Sequence, residues 1–193
     1  MKRLSVFCAS SLGNDTIFQD YAYEVGKTLA KQNIAVVYGG ASVGLMGAVA
    51  DGALENGGEV IGVFPTFMND KEIAHQELTE LIKVETMHER KKIMNDLSDG
   101  VMVLPGGFGT LDECFEMLTW GQLGLHQKPV GLLNVNGYFD SLLQFIQHTV
   151  DCGLLKESNQ KMLLVSDSIT DLLQQMKEYK ALPVEKWIHP NEI

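Results

Sequence analysis

AVVYGGASVGLMG, residues 35–47, passes from a short apolar run through glycines into what reads as the start of a helix. Gly39 and Gly40 allow positive φ or a close backbone approach, and Gly44 and Gly47 fall in the first turn of that helix. Strand, tight turn and helix form the repeating unit of an α/β sheet, and the rest of the chain repeats it. Apolar runs recur at residues 4–8 (LSVFC), 60–64 (VIGVF), 81–85 (LIKVE), 101–105 (VMVLP), 130–134 (VGLLN) and 163–166 (LLVS). Their nearly unbroken hydrophobicity predicts strands covered on both faces. Between them, Ile17, Tyr21, Val25 and Leu29 stand at intervals of four, and residues 87–97, 110–123, 138–150 and 169–179 are equally amphipathic. The alternation predicts right-handed crossovers and one doubly wound, Rossmann-like α/β domain over residues 1–193, with a mostly parallel sheet of about seven strands. No linker, low-complexity tract or internal repeat interrupts the pattern.

Composition narrows the class of function. The chain of 193 residues is 45% hydrophobic and 21% charged, which suits a globular domain with a full core. A formal net charge of −10, from 25 acids against 15 bases, argues against a protein that coats nucleic acid. Small anions remain possible ligands, because backbone amides bind them whatever the net charge. No apolar stretch approaches membrane-spanning length. The basic start MKRLSVFCASS has too short an apolar run for a signal peptide and reads better as a first strand. Cys8, Cys114 and Cys152 are odd in number and widely spaced, the pattern of reduced thiols in a cytoplasmic protein. His75, His88, His126, His148 and His189 show no HExxH or other ligand spacing, so structural or surface histidines, and no metal, are expected.

In a doubly wound sheet, ligands sit beyond the carboxyl ends of the strands. That rule selects CASSLGND after the first strand, YGGASVGLMG after the second and PGGFGTLDE after the fifth. YGGASVGLMG lacks the GxGxxG spacing of a dinucleotide fingerprint, and close helix–sheet packing accounts for it equally well. Ser10 and Ser11 could donate hydroxyls to an anion or merely cap a helix. PGGFGTLDE is richer. Gly106, Gly107 and Gly109 bare the backbone where a helix begins, and the helix start adds about half a positive charge beside the Thr110 hydroxyl. No GK[ST] follows, so this is not a Walker loop. Thr110 and Glu113 also fit the [ST]xx[DE] capping box, which would give the glutamate a purely structural task. Arg90, in MHERK, is one of two arginines in the chain, with Arg3. Its helix could be a solvated face carrying Glu89, Lys91 and Lys92, or its guanidinium could serve ribose hydroxyls or phosphate.

YGGASVGLMGAVADGAL, MHERKKIM, LPGGFGTLDE and TWGQLGLHQKPVGLLNVNGYFD, in that order, resemble the LOG (Lonely Guy) family. Those proteins are cytokinin riboside 5′-monophosphate phosphoribohydrolases, and their bacterial relatives cleave AMP-like nucleotides. The resemblance runs over residues 7–139. It implies a cytoplasmic homodimer that hydrolyses the N-glycosidic bond of a nucleoside 5′-monophosphate, without a cofactor, to free base and ribose 5-phosphate. It carries the catalytic roles to Arg90 and Glu113, and substrate contacts to these two and to Glu72, Lys91, Gly107, Phe108, Gly109, Thr110, Leu111, Asp112 and Thr119. Ala41 departs from the third glycine of many members, which bears on loop shape.

N-glycoside cleavage passes through an oxocarbenium-like ribosyl cation that a fixed carboxylate stabilises, a task suited to Glu113. Arg90, with a pKa above about 12, orients and balances charge in place of donating a proton. Glu72, Asp112 and water all stand as donors to the departing base. Many relatives bear a lysine decarboxylase label, for which no pyridoxal-binding lysine can be argued here. The alternative from another class is a non-catalytic nucleotide or molybdenum-cofactor carrier of the same superfamily.

Overall fold

The computed structural model describes residues 1–68 and 74–181. Its strands are β1 (Arg3–Phe7), β2 (Ala35–Tyr38), β3 (Val60–Pro65), β4 (Glu80–Val84), β5 (Val101–Val103), β6 (Val130–Leu133) and β7 (Leu163–Ser166). All seven coincide with the apolar runs, and every pairing is parallel. Among the described residues, helices α1 (Thr16–Lys31), α2 (Gly44–Leu54), α3 (Met87–Leu97), α4 (Phe108–Gln122), α5 (Asp140–Asp151) and α6 (Glu157–Gln160) lie between them, α7 (Ile169–Glu178) follows the last, and a 3₁₀ turn at Thr66–Met68 follows β3.

The strand order is β4-β3-β2-β1-β5-β6-β7. The chain therefore walks outward from β1 through β4, then returns to the other side of β1 with β5. That reversal makes a switch point between β1 and β5, where the following loops part to leave a crevice. Pairing carries past the strands: Leu104 N donates to Phe7 O at 2.9 Å and Ala9 N to Pro105 O at 3.1 Å. The two loops are thereby held side by side at the mouth of the crevice.

Both sheet faces are covered, as the continuous hydrophobicity requires. One face packs Leu4, Val6 and Val36 against Val25 and Leu29 of α1, Val49 of α2 and Leu172 of α7. The other packs Phe7, Val37, Ile61 and Val103 against Met94 of α3 and Cys114 and Met117 of α4. Ser5 is the polar exception, its hydroxyl donating to Met94 O at 3.1 Å and lying 2.7 Å from Ser98 Oγ.

Two helix boundaries differ from the sequence expectation. Helix α5 starts at Asp140, not at residue 138, because Val135–Gly137 forms a 3₁₀ turn in which Asn136 has φ 50°. Helix α4 starts two residues before Thr110, at Phe108, with Gly107 as its N-cap. Helix α6 carries no long-range apolar periodicity in its four residues and was not expected.

Candidate nucleotide site

The early start of α4 decides what its first turn can do. Gly107 has no side chain with which to cap, and the first bond back to it is Leu111 N to Gly107 O at 3.0 Å. The amides of Phe108, Gly109 and Thr110 belong to the turn that no intrahelical carbonyl can satisfy. They line a cavity of about 390 Å³ at the switch point. The glycines here have separate tasks. A Cβ on Gly106 would lie 2.1 Å from Thr110 Oγ1, whereas one on Gly107 or Gly109 would meet nothing within 4 Å. Gly106 is thus packed shut against Thr110, while Gly107 and Gly109 face open cavity. An uncapped helix start with bare backbone favours an anion.

Thr110 occupies the third position of α4 and is buried, so the capping-box reading of Thr110 and Glu113 fails. Glu113 reaches instead to Arg90, whose Nη1 donates to Glu113 Oε1 at 3.0 Å. Both side chains are nearly enclosed, at 11% and 9% exposure. Burial pushes the Glu113 carboxyl above its ordinary value, with Arg90 and then Lys91 pulling it down. The Arg90 Nε is buried without a hydrogen-bond partner among the described residues. Its Nη2 lies where a Cβ on Gly39 would come within 2.2 Å, so the guanidinium rests against Gly39 in space that a side chain there would fill. One Arg90 nitrogen is thus bonded to Glu113 and another rests against Gly39, in the wall of the cavity that the start of α4 also lines.

Helix α3 delivers Arg90 to this point. Its N-cap, Thr86, accepts the Glu89 amide at 3.1 Å, and the Glu89 carboxylate reaches back to the Glu85 amide at 2.9 Å. A reciprocal cap of this kind fixes the first turn, and Arg90 is the next residue. Arg90 therefore projects inward, while Lys92 lies outward in an exposed pair with Asp96.

The remaining cavity wall comes from the loop after β1 and from α2 and α3. Cys8, Ala9, Ser10, Ser11, Met46 and Met87 all line it. Burial drives the Cys8 thiol far above its ordinary range, with Glu113 adding to the effect and Arg90 opposing it. The loop-after-strand rule points to Ser10 and Ser11, but nothing in the sequence marks the two methionines as lining. The glycines at the start of α2 are spent on packing. Leu45 N and Met46 N both donate to Ala9 O, at 3.1 and 3.4 Å, and a Cβ on Gly44 would sit 2.2 Å from the Ser10 carbonyl carbon. Close helix–sheet packing is the reading that holds there.

The fold brings Arg90, Gly107, Phe108, Gly109, Thr110, Asp112 and Glu113 to one cavity. Phe108 stands at the rim and is 94% exposed. Leu111 points into the core against the sheet. Lys91 is drawn aside by Asp112 at 3.1 Å and Glu116 at 3.0 Å; burial works against its charge, but these two carboxylates outweigh it and raise its pKa. Thr119 lies further along α4, where its hydroxyl donates to Phe115 O at 2.7 Å and lines a separate groove with Phe115 and Phe145. Glu72, like His189, lies outside the described residues. Among the described residues no group of three or more His, Cys, Asp or Glu is placed to hold a metal ion.

Comparison with known proteins places this geometry in a family. The family profile described as "Possible lysine decarboxylase" matches residues 46–176. A cytokinin riboside 5′-monophosphate phosphoribohydrolase of Arabidopsis thaliana is 43% identical over 178 residues, covering 92% of this chain and 84% of that protein. Among solved structures, the structural-genomics target TM1055 superposes with a TM-score of 0.71 at 25% identity, over 93% of this chain and 100% of that one. A molybdenum cofactor binding protein from Rippkaea orientalis gives 0.69 at 23% identity, over 91% and 95% of the two chains, a likeness of fold.

Proposed function

We propose that this chain, which belongs to the Lonely Guy family of cytokinin riboside 5′-monophosphate phosphoribohydrolases, hydrolyses the N-glycosidic bond of AMP or an N6-substituted adenosine monophosphate. The products are the free base and ribose 5-phosphate. The observation that carries this reading is the buried Arg90–Glu113 pair facing the uncapped start of α4.

Phosphate binds the amides of Phe108, Gly109 and Thr110, which takes the dianion to the positive end of the helix dipole. The ribose then lies over Glu113. A carboxylate is a poor neighbour for phosphate but a good one for a ribosyl cation, so a substrate that is anionic at one end and becomes cationic at the other suits both. Arg90 opposes the burial that raises the Glu113 carboxyl, and its guanidinium in the cavity wall orients the sugar or the phosphate. Water attacks the anomeric carbon as the C–N bond breaks, and the departing base takes up a proton.

The decarboxylase description of the family profile finds no support in this chemistry. The residues lining the cavity include no lysine for a Schiff base, and Lys91 is tied to two carboxylates. Supporting a homodimer is the exposed apolar face of Phe115, Phe145 and Leu154 beside Thr119. Supporting a cytoplasmic setting are the thiols, which are free among the described residues. No helix among those residues is long and apolar enough to cross a membrane.

Incubation with AMP and N6-substituted monophosphates, followed by chromatography, tests the assignment. Free base with ribose 5-phosphate is the expected outcome. Nucleoside with inorganic phosphate would indicate phosphoryl transfer, and intact nucleotide bound one to one would indicate a carrier.

A further inference from the structure

The glycine turn against which Arg90 rests is itself held from behind. Gly40, at φ +82°, accepts the His75 amide on its carbonyl at 2.9 Å, and Ala41 forms an antiparallel bridge with Ala74. The His75–Gly40 bond is part of that bridge, and a single bridge makes a weak clasp, each such bond contributing about 1 kcal/mol net. The His75 imidazole closes it. Its Nδ1 accepts the Glu77 amide at 3.2 Å, which leaves the proton on Nε2, and that nitrogen donates to Asp51 Oδ1 of α2 at 2.9 Å. The ring is nearly enclosed, at 9% exposure. His75 thus joins three pieces: its own turn, helix α2 and the Gly39–Gly40 turn.

The neighbouring residue of that turn, Gly39, carries the contact with the Arg90–Glu113 pair. The Arg90 guanidinium is in contact with Gly39 and bonded to Glu113, so the height of the Gly39 backbone fixes where the guanidinium stands relative to the carboxylate. From this juxtaposition we infer that His75 is a positioning residue for Arg90, acting through the Gly39–Gly40 turn and braced by Asp51. The inference rests on the hydrolase reading for its effect on turnover. It goes beyond that reading in assigning a role to a residue outside the cavity.

A coupling experiment tests it. His75→Ala should lower kcat/KM for AMP about tenfold, since a displaced catalytic group loses rate steeply. His75→Gln should recover to within about threefold, because one amide supplies both an acceptor for the Glu77 N–H and a donor for Asp51. In an Arg90→Lys background, whose side chain has no planar edge to lay on Gly39, His75→Ala should cost less than about twofold. Equal losses in both backgrounds would show a general packing role and overturn the inference, as would full activity in His75→Ala. Should His75→Ala not fold, Asp51→Ala removes the brace from outside the turn and enters the same cycle. The cycle is also read as the Kd for AMP by calorimetry, which needs no turnover. Absence of base release from the unmutated protein would sink the hydrolase reading alone, while additive losses in Kd would sink the coupling.

Discussion

Thr86-Met-His-Glu89 and Thr110-Leu-Asp-Glu113 share one grammar, a threonine three residues before a glutamate at a helix start. The first behaves much as that grammar predicts, with Thr86 capping the Glu89 amide and the Glu89 carboxylate accepting the Glu85 amide just ahead of α3. The second does not. Helix α4 begins two residues earlier, its start is left to bare glycine, and its glutamate is buried against an arginine from the other helix. The difference lies in what precedes each threonine: Val84-Glu85 supplies ordinary backbone, whereas Gly106, Gly107 and Gly109 let α4 start early in the wall of a cavity. A helix start without its cap, beside a buried carboxylate, breaks the local rules of stability, which is what the proposed function expects of a site for chemistry.

The sharpest way to break this contrast is to remove the partner of the second glutamate. Arg90→Ala leaves Glu113 buried and unpaired, and should cost about 3–5 kcal/mol of stability at neutral pH with a loss of turnover of about 10²–10³-fold. Chemical denaturation and steady-state base release read the two effects. The stability loss should shrink in acid. Glu113 already has a raised carboxyl in the intact protein, so its folding contribution is fully present below the ordinary glutamate pKa and is lost as pH rises through the raised one. Without Arg90 that value rises further. Activity has the opposite sign: it needs the carboxylate, so kcat/KM should fall with acid on a limb above the ordinary glutamate value of about 4.3.

A smaller effect separates the two glycine turns. Gly109→Ala fills open cavity without a positive φ, and should leave stability unchanged or about 0.5 kcal/mol higher while AMP binding weakens about tenfold. Gly44→Ala should do the reverse. With φ +62° and a Cβ 2.2 Å from the Ser10 carbonyl carbon, it should destabilise by about 2 kcal/mol or more. Thermal denaturation and calorimetric titration of both variants decide the matter. The smallest change expected is at the first box: Thr86→Ala should lose about 1 kcal/mol of stability and leave turnover within about threefold.

Much of this was legible in the sequence. Inner strands buried on both faces have little room for polar residues, so they appear as apolar runs, while the edge strand β4 tolerates the exposed Glu80 and Lys83 and is still legible through Leu81, Ile82 and Val84. Arg90 is visible through arginine scarcity, and the loops at the switch point through topology. The early start of α4 was not, because Gly107, Phe108 and Gly109 have the local preferences of a turn, and Phe108 and Gly109 join a helix whose buried residues, Thr110, Glu113, Cys114 and Met117, all lie after them. Nor could spacing reveal that Lys91 turns toward Asp112 and Glu116 while its neighbour Arg90 turns inward. Those choices depend on where α3 and α4 meet in space.

Glu113→Gln preserves shape and removes only the charge that the proposed mechanism sets against the ribosyl cation. Base release from AMP in a single turnover, measured by chromatography alongside calorimetric binding, should fall by about 10³-fold while Kd stays within about threefold. Near-normal base release by the glutamine variant would contradict the account and return Glu113 to a structural role beside Arg90.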